Sequence, residues 1–91
     1  MITIPASALP VETIRSTANR VARRFAVASR PLQANMVRVY VEAELMLTCD
    51  RAGANVAMFV SRRNHARRML VERCGFSPAM IVRMRAAAGL A

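Results

Sequence analysis

Ninety-one residues suffice for one small domain, and with 55% hydrophobic residues the chain can fill a core rather than remain a disordered basic tail. The formal net charge is +9, carried by fourteen arginines and no lysine against five acids. The composition excludes a wall of stacking aromatics for single-stranded bases, because Phe25, Tyr40, Phe59 and Phe76 stand apart from one another.

The longest charge-free run, residues 1–11, is far short of the roughly 20 apolar residues that span a bilayer. It has no preceding basic region and contains Pro5 and Pro10, so it is a poor signal peptide. The chain therefore reads as cytoplasmic. A reducing compartment predicts free thiols at Cys49 and Cys74, with a disulfide between them as the alternative.

After an extended lead-in over 1–9, an amphipathic helix is expected over 10–29. Val11, Ile14, Ala18, Val21, Phe25 and Ala28 recur at spacings of 3 and 4 and fall on one stripe. Arg15, Arg20, Arg23 and Arg24 lie on the other side. Pro10 suits a first helical turn, and Ser29-Arg30-Pro31 ends the run.

The period then changes. Val37, Val39, Val41, Ala43, Leu45 and Leu47 alternate with Arg38, Tyr40, Glu42, Glu44 and Met46, which predicts a strand with one buried face and with Arg38, Glu42 and Glu44 exposed. The residues from 49 to 55 read as a loop, and Val56–Val60 as the return strand of a hairpin spanning 36–61. The competing reading is a helix over 32–47, since Glu, Ala, Leu and Met are good helix formers.

A helix pair is expected over 62–88. Ser61 or Asn64 caps its first member and Gly75 ends it; Ser77 and Pro78 open the second, which Gly89 ends. The fold class that follows is a single α+β domain over 1–91, helix-strand-strand-helix-helix, with an all-α bundle as the alternative.

Residues 68–84 resemble a helix-turn-helix DNA-binding motif. Gly75 stands where that motif stops its first helix, Phe76 is the apolar residue that follows, and Ser77 caps the recognition helix. Leu70, Ile81 and Met84 occupy the positions at which the family packs its two helices together. The resemblance implies DNA binding with the second helix in the major groove. Val71 departs from it, where the family places a small side chain. Of the outward residues Pro78, Ala79, Val82 and Arg83, only Arg83 can hydrogen-bond a base edge. An ordinary αα-hairpin closed by a glycine accounts for the same residues.

The charge is clustered independently of that motif. Residues 1–30 carry a net +4, residues 31–60 a net −1 and residues 61–91 a net +6. The guanidinium is charged at any working pH, and its planar fork matches phosphate or carboxylate oxygens. The candidate contact residues are accordingly Arg20, Arg23 and Arg24 on the first helix, Arg62, Arg63, Arg67 and Arg68 on the second, and Arg83 and Arg85 at the end.

No catalytic set is legible. His65 is the only histidine, no glycine-rich phosphate loop is present, and Glu42 and Glu44 read as partners for neighbouring arginines. Cys49, His65 and Cys74 are too few and too far apart for structural zinc, so neither metal nor cofactor is expected.

The expected function is a small basic, non-enzymatic protein that contacts DNA or RNA phosphates through arginine clusters, with a DNA-binding regulator as its specific form. The alternative is an interaction protein or inhibitor docking on an acidic protein or nucleoprotein complex. In size and in lack of catalytic groups that alternative is similar to the small inhibitors of phages and mobile elements, anti-CRISPR proteins among them. No membrane or small-molecule partner is expected, and a homodimer is left open.

Overall fold

The computed structural model describes residues 9–27 and 29–90, and among them every regular element is helical. Helix α1 spans Val11–Phe25, α2 Pro31–Thr48, α3 Val56–Glu72 and α4 Pro78–Ala87, with a single 3₁₀ turn at Gly53–Asn55 before α3. The α+β expectation is overturned by these four helices. The predicted hairpin over 36–61 is most of α2, a loop and the first turns of α3. The first helix, expected over 10–29, stops at Phe25, where Ala26 is already extended and Val27 and Ser29 are not helical; residues 1–8 of the lead-in over 1–9, and Ala28, lie outside the described residues.

Helix α2 explains the correction. It runs through the centre of the bundle, between α1 and α3. Gln33, Met36, Val37, Tyr40, Val41, Ala43, Glu44, Leu45 and Met46 are all buried. At about 100° per residue these positions cover well over half the helix circumference. A helix covered on two flanks is apolar almost all round, so its residues satisfy a period of 2 as readily as one of 3.6. Val39 and Leu47, which the strand would have buried, are only partly covered, whereas Tyr40 and Glu44, which it would have exposed, are buried. The exposed stripe is Asn35 with the half-buried Arg38 and Glu42, at spacings of 3 and 4.

Helix α1 lays Ile14, Ala18, Val21 and Ala22 against this core, as its stripe requires. Phe25 is half-buried at the margin, with the Arg24 guanidinium 5.4 Å from its ring centroid. Pro10 is the N-cap, and Pro31 begins α2 at its first turn, where a missing N–H costs nothing. The corner between them is fastened by Gln33, whose Oε1 accepts the Val27 N–H at 2.7 Å.

Helix α3 contributes Phe59, Ala66 and Leu70, and ends where the sequence places its stop. Gly75 has φ +73°, a conformation that favours glycine, and the Phe76 N–H then bonds back to the Leu70 carbonyl at 2.9 Å. Ser77 Oγ accepts the Met80 N–H at 3.2 Å, Pro78 follows, and α4 buries Ile81 and Met84. The main close helix approaches are α2 to α1 and α2 to α3, with α4 meeting α1. The tight α3–α4 crossing of a helix-turn-helix is not among them, although Leu70, Ile81 and Met84 are all buried.

Candidate acidic-partner interface

The nine arginines singled out by sequence are not brought into one patch. On α1 three neighbours diverge. Arg20 Nη2 donates to the Ala87 carbonyl at 3.4 Å, at the C-terminal end of α4, where a cation complements the helix dipole. Arg23 faces α2 across a groove, and Arg24 lies over Phe25.

The four arginines of α3 split in the same manner. Around that helix Ala66 and Leu70 mark the buried direction, and Arg63 falls about 40° from it, Arg67 about 80° and Arg68 opposite. Arg63 consequently turns inward, its Nε 3.4 Å from Glu44 Oε1. Arg62 rests over Phe59, 5.7 Å from the ring centroid, and borders a cleft of about 340 Å³ that also holds Arg38 and Glu42. Arg67 and Arg68 line a shallow outer cleft of about 350 Å³ with Asn64, Val71 and Glu72. Glu72 makes no ion pair with Arg68 among the described residues.

Arg85, expected at the surface, is a structural residue. Its Nη1 pairs with Glu44 Oε2 and donates to the Tyr40 hydroxyl at 3.3 Å. Glu44 is 8% exposed and holds Arg63 from α3 and Arg85 from α4, so one carboxylate of α2 ties three helices together. The reading of Glu44 as an exposed strand acid is corrected here, and Arg63 and Arg85 leave the candidate contact surface as its partners. Arg83 is exposed on α4 beside Ala79 and Val82.

Two features escaped the sequence reading. Tyr40 and Glu44, four apart, were legible only if α2 is a helix. Arg38 is the other: its Nη2 donates to Asn35 Oδ1 at 2.6 Å and its Nη1 lies 3.5 Å from Glu42 Oε2. Both cysteines are free thiols, and burial pushes the Cys49 thiol up against the opposing pull of Arg51 and of its hydrogen bond with the Leu9 backbone. No cluster of three metal-ligating side chains occurs among the described residues. No helix among them is long and apolar enough to cross a membrane.

No family model, curated protein or solved structure matches this chain.

Proposed function

We propose that this chain is a non-enzymatic protein that binds nucleic acid through phosphate contacts, without sequence preference, using the exposed arginines of α1, α3 and α4. The observation that carries the reading is how the two acids of α2 are used, while Glu12, Asp50 and Glu72 are exposed and too few to balance the remaining arginines. Glu44 is enclosed by Arg63 and Arg85, and Glu42 is held by Arg38. Arg23, Arg24, Arg62, Arg67, Arg68 and Arg83 stay exposed and form no ion pair among the described residues. Like charges at this density repel and are relieved by an anionic partner.

The outer face of α4 favours sequence-independent contact. Pro78, Ala79 and Val82 are exposed there and offer no side-chain donor or acceptor to a base edge. Fluorescence anisotropy with several unrelated duplexes of about 20 base pairs, titrated at increasing salt, tests the reading. Similar affinities across sequences are expected, with log K falling linearly with log salt. Absence of binding at about 50 mM salt would overturn the proposal and move the weight to an acidic protein partner.

A further inference from the structure

A groove of about 690 Å³ lies where the end of α1 meets the start of α2. Its origin is compositional. The facing residues are Ala22 on α1, Ala26 at its C-cap and Ala34 on α2, and three methyl groups cannot fill the space between the two helices. Val27, 54% exposed, and Pro31 extend the apolar wall along the corner that Gln33 fastens. Arg23, which has no ion pair among the described residues, stands on the α1 rim, and Arg38 on the α2 rim, positioned by Asn35 and by Glu42 on the side away from the groove lining. No acidic residue lines the groove among the described residues.

From this arrangement we infer that the groove docks a short acidic segment of a partner protein, with aliphatic side chains on the alanine floor and carboxylates meeting Arg23 and Arg38. The volume lies within the roughly 300–1,000 Å³ typical of binding sites, and an apolar floor between two cationic rims complements an amphipathic acidic peptide. Nucleic acid suits the site less well: the floor is apolar and has no aromatic ring on which a base could stack. A second copy of the chain would bring its own net charge of +9 against a cationic rim. The inference does not rest on the nucleic-acid reading, and of the arginines that reading uses only Arg23 borders the groove.

The test is selection of a random 12-residue peptide library, displayed on phage, against the folded full-length chain. Binding of the enriched peptides is then measured to the wild type and to Ala26→Leu and Ala34→Leu, which fill the groove from opposite walls. Circular dichroism identifies which variants are folded. The expected result is enriched sequences that pair aliphatic residues with two or more Asp or Glu, and at least a tenfold loss of affinity in each folded variant. Duplex DNA binding by the same variants should stay within twofold of wild type. The proposal is overturned by no enrichment, by enriched peptides lacking acids, or by equal binding to the filled variants. It is also overturned if filling the groove weakens duplex binding as much as peptide binding, since the groove would then belong to a nucleic-acid surface. If both leucine variants unfold, Asn19→Leu at the exposed rim replaces them under the same criteria.

Discussion

Two arginine pairs lie five residues apart on α3, Arg62-Arg63 and Arg67-Arg68, and the fold treats them differently. In the first pair Arg63 turns to Glu44 of α2, while Arg62 lies over Phe59 and stays exposed without an ion pair among the described residues. The second points away from the bundle and shares its cleft with Asn64, Val71 and Glu72. The difference comes from the neighbouring helix rather than from the pairs themselves. Where α2 supplies a carboxylate, an arginine becomes part of the framework; where it does not, the charge is left for a partner. A run of like charges in sequence is therefore no measure of a binding patch until the acids across the interface have been assigned.

The largest expected effect breaks the inward side of that contrast. Glu44→Ala leaves Arg63 and Arg85 facing a half-buried space without their counter-charge. Removing one member of a buried pair costs about 3–5 kcal/mol, and the partial exposure of both arginines places this case near the lower end. For a domain of this size that is a fall in Tm on the order of 15 °C. Arg68→Ala, on the outward side, should change stability by less than about 0.5 kcal/mol. Thermal melts of the two variants decide the matter, and a Glu44→Ala melt within about 3 °C of wild type would remove Glu44 from its structural role.

A smaller effect sharpens the comparison. In a double-mutant cycle, Glu44→Gln and Arg63→Gln should show a coupling of about 1–2 kcal/mol, since the two groups are in contact and one is buried. The cycle of Arg68 with Glu72, four residues apart but unpaired, should give less than about 0.5 kcal/mol, the range of exposed helix pairs. Urea denaturation of the four single and two double variants measures both couplings. Equal values would mean that the inward turn of Arg63 carries no energetic weight.

The inward half of this contrast could not be read from the sequence, for a specific reason. Local signals were legible at some helix ends but not at the end of α1, expected at 29 and found at Phe25, or at the start of α3, expected at Ser61 or Asn64 and found at Val56. The 3-4 stripe over Val11–Phe25, the Gly75 stop and the Ser77-Pro78 opening of α4 all correspond to observed elements. Helix α2 reads as a strand because a central helix has no wide polar face to reveal its period. The signal that distinguishes it is narrow: Asn35, Arg38 and Glu42 at helical spacing form its outer stripe. With that stripe recognised, Tyr40 and Glu44 fall on the opposite, buried side. A buried glutamate in a chain this rich in arginine calls for cationic partners from neighbouring helices. Which arginines answer, Arg63 and Arg85, depends on how α3 and α4 pack, and no local pattern encodes that.

The smallest expected effect tests the outward pair directly. If Arg67 and Arg68 each neutralise one phosphate, Arg67→Gln with Arg68→Gln should flatten the salt dependence of duplex binding by about 1.8 units, close to 0.9 for each phosphate left without its arginine. That corresponds to roughly a 3.5-fold smaller change in affinity for each doubling of salt, a difference anisotropy titrations resolve. The variants should melt with the wild type, because neither side chain is held by an acid among the described residues. Arg63→Gln is the informative control. It removes the same formal charge from the same helix, but from a guanidinium already turned to Glu44, so its salt slope should match the wild type while its melting temperature falls. If Arg63→Gln flattens the slope as much as either outward substitution, the fold does not set Arg63 apart, and the nucleic-acid surface would have to be redrawn to include it with the other three arginines of α3.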